Sequence, residues 1–318
     1  MLLDFPDIRG HEATTLFILG NGFDKAHDLK TSYSDFQDWL IKEGHQDFVD
    51  TLEAIYDGRY KDLFSNEEKR PNILWHDLES ALAEINAETA LNYLKTTYGD
   101  IINDANALDL AEKHIQKVVS TLPQLLKEWS ESIPVESIQK LYRLPDESKY
   151  LTFNYTQTLE LGYKLNSEIL HIHGQANSQE QVIVGCARDT DRKPGNGNIQ
   201  ERKYAKKINA ALKKFNKDVD ENIEKSLFAF DLKNIDRVIV IGHSLCEIDL
   251  PYFVEIRKEI TDKAHWHFSV FYEDDNNNKN HNYDNVAYFI DQYLGRLDSI
   301  SYNQHYIFNV CPTPNNAS

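Results

Sequence analysis

The chain has 318 residues, 41% of them hydrophobic, and a formal net charge of −17. That is enough apolar chain for one large α/β domain with a helical insertion, or for two modest domains. The acidity argues against general nucleic-acid binding, because phosphate backbones repel such a surface. No apolar run approaches the length of a membrane span, and Met1 to Glu12 lack the basic-then-apolar order of a signal peptide, so the cytoplasm is the expected location. Cys186, Cys246 and Cys311 are far apart and form no C-x-x-C pair, which argues against a disulfide framework or a zinc knuckle. Cys246 is expected as a small buried core residue.

In chain order, Leu16 to Leu19 reads as an apolar strand running into Gly20-Asn21-Gly22-Phe23-Asp24. Glycines in such a turn take backbone angles closed to other residues and let a ligand approach the main chain. A helix after it would aim free N–H groups at a phosphate. The dinucleotide fingerprint is incomplete, since Lys25 stands three residues after Gly22, and a plain strand-to-loop turn reads the same way. Residues 34–145 read as a helical insertion. Phe36, Trp39 and Leu40 share a face; Trp75, Leu78, Ala81, Leu82 and Ile85 follow at helical spacing; Ile115 to Trp129 continue the pattern, with Pro123 expected to kink or divide the helix.

Three further segments match the first. Tyr150 to Thr156, Ile169 to Gly174 and Val238 to Leu245 are short apolar strands that end in polar clusters. Continuous apolar strands belong to parallel sheets covered on both faces, where ligands sit at the carboxyl ends. All four clusters fall at that end. Between Arg188 and Lys217 there are ten Lys or Arg and three acids, +7, which leaves −24 for the rest. Its second half, Tyr204 to Phe215, reads as a helix with Tyr204, Ile208, Ala211, Leu212 and Phe215 on one face. The basic stretch 188–217 reads as a solvated face, as a lid over a dinucleotide, or as a contact for nucleic acid or an acidic partner. His267 to Tyr272 and Tyr306 to Val310 read as strands, and Asp274 to His281 as a polar loop. Together these give one α/β unit over 1–318: a Rossmann-like parallel sheet from residues 13–33 and 146–318 as nucleotide-binding core, with 34–145 inserted.

These segments resemble the AbiH family, named for abortive infection of bacteria by phage. The resemblance lies in Phe17 to Phe36, Trp75 to Glu79, Phe153 to Thr156, His171 to Gly174 and Gly242 to Asp249. More distantly, the same segments resemble the sirtuin-like NAD-binding domains of bacterial defence proteins. That second resemblance implies NAD as substrate or ligand. It puts Asn154 where the sirtuin-like Asn orients water or ribose, His173 where the catalytic His sits, and Gly242, Ser244 and Asp249 on the late nucleotide-contacting loop. There are departures. Thr156 stands where an Asp is usual, Asn21 and Asp24 replace small residues and Ser or Thr, and the zinc module of protein-deacylating sirtuins is absent.

Cleaving a nicotinamide–ribose bond passes through an oxocarbenium-like state, which wants a base and a nearby negative charge. His173 suits the base, Asn154 would orient water, and Asp24 or Asp249 would hold ribose hydroxyls or offset positive charge. Gly20, Asn21, Gly22, Gly174, Gly242, His243 and Ser244 complete the expected nucleotide contacts, with no metal. His171 alternates with His173 along its strand and is expected to be structural. The resulting expectation is an anti-phage NAD hydrolase. Two rivals stay open: a sensor of NAD or ADP-ribose without turnover, which Thr156 favours, and a nuclease-type effector gathering magnesium at Asp24, Asp77, Glu79 and Asp249. No P-loop sequence occurs, and Gly242-His243-Ser244-Leu245-Cys246 lacks the second glycine of a nucleophile elbow. An acidic chain with an aromatic helical insertion is compatible with a homo-oligomer, and the resemblance leaves room for a phage-derived trigger.

Overall fold

The computed structural model describes residues 2–5, 8–57, 73–86, 89–90, 105–180, 182–185, 199–213, 219–270, 281–294 and 305–309. Cys186, Cys311, residues 188–198 and 214–217 of the basic stretch, residues 274–280 of the polar loop, and Phe271, Tyr272 and Val310 at expected strand ends lie outside the described residues. The chain divides into two units. One comprises Met1–Thr31, Ser132–Ala176 and Val219–Ser318, the other Ser32–Glu131 and Asn177–Asp218.

The first unit is built on a sheet of β1 (Thr15–Leu19), β2 (Lys149–Thr152), β3 (Ile169–His171), β4 (Arg237–Ile241), β5 (His265–Val270) and β6 (His305–Asn309). The spatial order is β3-β2-β1-β4-β5-β6, and every pairing is parallel. This is the order of a Rossmann-like sheet, with the chain reversing its direction of travel between β1 and β4. All five residues of β1 are buried, as expected where a parallel strand is covered on both faces. Alternate side chains take opposite faces. Phe17 and Leu19 join Tyr150, Ile239 and Ile241 in a cluster with Phe5, Phe23, Tyr142 and Tyr163. Phe17 is in register with Tyr150, and their rings stack at 5.1 Å. Leu16 and Ile18 turn the other way and are also fully buried. Burying one such side chain contributes about 1.5–3 kcal/mol, so this strand is a main anchor of the unit.

Short helices and a π-helical turn connect the strands. The short α1 (Asn21–Ala26) follows β1, a π-helical turn (Thr158–Tyr163) lies between β2 and β3, and α8 (Leu250–Glu259) runs from the β4 loop toward β5. The small α7 (Val219–Asn222) precedes β4, and α9 (His281–Phe289) lies between β5 and β6.

The second unit is helical: α2 (Tyr33–Lys42), α3 (Gln46–Asp57), α4 (Leu78–Glu84), nearly all of α5 (Ala105–Ser132), and α6 (Ile199–Leu212). Ser32 and Asp35 close α2 with a capping box. Phe36 packs against Trp75 and Trp129, with ring centroids 6.2 and 5.1 Å apart, and Glu53 accepts hydrogen bonds from Gln37 and Trp75. Two expectations change. Trp75 stands in a turn before α4, because the Asp77 carboxylate accepts from the Ser80 N–H and starts the helix at Leu78. The second concerns Pro123, which does not divide α5. Buried Val119, Leu122, Leu126 and Trp129 hold the helix on both sides of it. On α6 the buried face is Ala205, Ile208 and Leu212, and Lys207 reaches Glu112 of α5 at 2.8 Å. Among the described residues, no helix is long and apolar enough to cross a membrane.

Candidate functional site

Register places the polar clusters. Leu19 is opposite Thr152 on one side and Ile241 on the other, and Thr152 is opposite His171. Counting onward, Gly20, Phe153, Ile172 and Gly242 leave the sheet together, and Asn21, Asn154, His173 and His243 come next. The four strand ends therefore share one edge, all of it within the first unit.

The turn after β1 is spent largely on the fold. Gly20 donates to Ile241 O (3.0 Å), Gly22 to Gly242 O (2.8 Å), and Phe23 to Gly20 O (2.9 Å). The Asn21 amide donates to Thr31 O at 2.8 Å. Gly20 has an ordinary φ of −112°, so the expected glycine-only angles do not occur there. What excludes a side chain is the turn after β4. A Cβ on Gly20 would lie 2.6 Å from the Gly242 carbonyl oxygen, and one on Gly22 2.8 Å from Gly242 Cα. Gly242 itself has φ +65°, and its Cβ would fall 2.2 Å from Phe23 N. The two turns interlock, and the three N–H groups named above are engaged by protein carbonyls.

A different arrangement forms where β3 and β4 lead. His243 Nε2 lies 3.5 Å from Asp249 Oδ2, and His173 Nε2 lies 3.7 Å from Asp249 Oδ1. All three side chains are buried, His173 at 4% exposure and Asp249 at 7%. His243 Nδ1 accepts the Leu245 N–H at 2.9 Å, so the neutral ring carries its proton on Nε2, facing the carboxylate. Leu245 takes a left-handed φ of 48° to make this bond, a strain of about 1–3 kcal/mol that its buried side chain holds in place. Phe153 sets its ring edgewise against both imidazoles, 5.3 Å from His173 and 4.3 Å from His243. Cys246 is half-buried rather than a core residue, because its thiol donates to Asp249 Oδ2 at 3.6 Å. Gly174 turns at φ +84° just after His173. Ser244 is exposed, and its carbonyl accepts from Asn285.

A second polar group sits beside the first turn. Asp24 is 1% exposed, and its Oδ2 accepts from Thr156 Oγ1 at 2.5 Å. Thr156 is 3.0 Å from Thr158. Burial raises the Asp24 carboxyl to about 6, against the pull of Thr156, Thr158 and Asn154 and of the charge on His171. Asn154 Nδ2 donates to Gly20 O at 3.1 Å. His171 bridges the Asn154 carbonyl (3.0 Å) and Glu160 Oε1 (2.7 Å), which also accepts from Gln175. His27 donates from Nδ1 to Phe23 O and accepts the Tyr163 hydroxyl, so it is bound into the core.

The structure thus gathers His173, His243 and Asp249, and separately Asp24 with Asn154. Glu160, Asn222 and Tyr252 had no signal in the sequence. Asn222 Nδ2 donates to Ile172 O (2.7 Å) and Tyr252 Oη (3.0 Å), which fixes the peptide leading into His173. Thr158 alone left a trace, as the second hydroxyl in Thr156-Gln157-Thr158. Asp77, far along the chain in the second unit, serves as a helix cap. Among the described residues, no three His, Cys, Asp or Glu side chains are grouped to hold a metal ion.

A parallel sheet in this order, with a polar cluster along the carboxyl ends of its strands, defines an α/β protein of Rossmann-like architecture. The chain matches the family described as Bacteriophage abortive infection AbiH over residues 16–270. It belongs to that family, and membership supports a role in phage abortive infection. No curated protein matches it.

Proposed function

We propose that the strand-end site of the first unit hydrolyses NAD at the nicotinamide–ribose bond and that this is how the protein acts in abortive infection. The observation that carries the reading is the convergence of His173 and His243 on Asp249, an imidazole base with a carboxylate to hold it and to offset positive charge. The sirtuin-like resemblance supplies the substrate. Two of its departures meet in this fold: Asp24 and Thr156, which depart from that pattern at separate places in the chain, are hydrogen-bonded to each other at 2.5 Å. The glycine turn contributes less than its sequence promises, since the Gly20, Gly22 and Phe23 N–H groups already have carbonyl acceptors. NAD held here would rely on side chains and on other parts of the edge.

A sensor without turnover is the second reading. Asn154, the residue expected to orient water, commits an amide hydrogen to Gly20 O. Incubating purified protein with NAD and measuring nicotinamide by mass spectrometry separates the two. Release by the wild type, lost in His173→Ala and Asn154→Ala, supports the hydrolase. No release, with NAD or ADP-ribose still raising the melting temperature, supports the sensor. No release and no thermal shift would discard both.

A further inference from the structure

We infer that Asp24, oriented by Thr156 and Thr158, is a proton-controlled latch between the turn after β1 and the turn after β2 that carries Asn154. Two side-chain links join these turns. One runs from Asn154 Nδ2 to Gly20 O, and the same amide also pulls on the Asp24 carboxyl. The other, Thr156 Oγ1 to Asp24 Oδ2, ends on a carboxyl with 1% exposure whose Oδ1 receives no well-formed hydrogen bond among the described residues. With Asp24 ionised, the single hydroxyl proton of Thr156 is spent on Oδ2, and the Thr158 hydroxyl is shared between Thr156 and the carboxylate. With Asp24 protonated, its own O–H donates to Thr156, Thr156 turns to Thr158, and the chain of hydroxyls reverses. The ionisable side chain coupled to Asp24 is His171 of β3, whose Nε2 lies 2.7 Å from Glu160 Oε1 of the π-helical turn. That pair meets the Asn154 carbonyl as well. A change of state at Asp24 is therefore passed to both sides of Asn154.

Burial raises the Asp24 carboxyl from 3.8 to about 6. The folded state holds the proton more tightly than the unfolded chain. The stability this group gives is fully present below the unfolded value and is lost as pH rises through the folded one. The latch thus holds its charged, strained form at neutral pH and its neutral form in mild acid.

The inference rests on the strand-end site described above, but its test uses no NAD, so each reading stands or falls alone. The amide signals of Gly20 and Asn154 are followed by NMR from pH 4 to pH 8 in the wild type, Asp24→Asn, Thr156→Ser and Thr156→Val, and unfolding in urea is measured over the same range. The wild-type amides are expected to shift together with a midpoint near that of Asp24, and not in Asp24→Asn. The ratio of wild-type to Asp24→Asn unfolding constants is expected to rise roughly fiftyfold from pH 4 to pH 8. Thr156→Ser keeps the wild-type midpoint, and Thr156→Val raises it, because the strongest hydrogen bond to the charged form is gone. A wild-type titration in which neither amide moves, or a ratio flat with pH, overturns the latch. If Asp24→Asn does not fold, the wild-type and Thr156→Val midpoints decide.

Discussion

The turns after β1 and β4 look alike in the sequence, Gly-Asn-Gly against Gly-His-Ser, and they serve different ends. In the first, Asn21 and the N–H groups of Gly20, Gly22 and Phe23 are consumed by neighbouring carbonyls. The second also gives its glycine to the interlock, but its side chains point to chemistry: His243 and Asp249 meet His173, which arrives from a strand three places away in the sheet. A glycine turn at a strand end marks a close approach of backbone. It takes the side chains around it to say whether the thing approaching is a ligand or another part of the same protein.

Three substitutions break or sharpen that contrast. Gly242→Ala should have the largest effect, a stability loss of about 3 kcal/mol or more in urea, since left-handed backbone and direct overlap with Phe23 N act together. A loss under about 1 kcal/mol would mean the interlock yields easily. Asp249→Asn comes next. If the wild type releases nicotinamide, this variant should lower kcat/KM by about 10²-fold, mostly in kcat, because the carboxylate is asked to support a base and a developing positive charge. An unchanged rate would reduce Asp249 to packing. Asn21→Ala should be smallest, about 1 kcal/mol from the bond to Thr31 O. Full stability in that variant, with loss of an NAD-induced thermal shift, would return Asn21 to the ligand and undo the contrast.

The sheet was legible because parallel strands buried on both faces are continuous apolar runs. Every expected strand from β1 to β6 is present to within a few residues, and their parallel register puts the clusters on one edge. His173 and His243 could be named because each lies two residues past a strand end, and Asp249 through the resemblance of the loop after β4. Their convergence could not, because it depends on how far each loop reaches. The Asp24–Thr156 bond joins residues 132 positions apart, and nothing local predicts it. Asn222 sits in a charged run of the sequence, yet it is buried against Ile172 and Tyr252. The start of α4 was missed for a smaller reason: a cap such as Asp77 outranks the spacing of apolar residues when a helix is short.

The position of β1 also sets the order in which the protein can be made. Among the described residues, Thr15–Leu19 pairs with β2 and β4 and with no strand closer in the chain. It leaves the ribosome roughly 130 residues ahead of β2, a wait on the order of ten seconds at usual rates of synthesis. Through that interval a segment apolar from Leu16 to Leu19 waits for its partner strands, while Ser32–Glu131 emerges with its own aromatic core. The nascent chain is thus exposed to aggregation at the strand that later becomes its most protected part. A cell producing this protein has reason to shelter its first strand until the hundred and fiftieth residue or so is out.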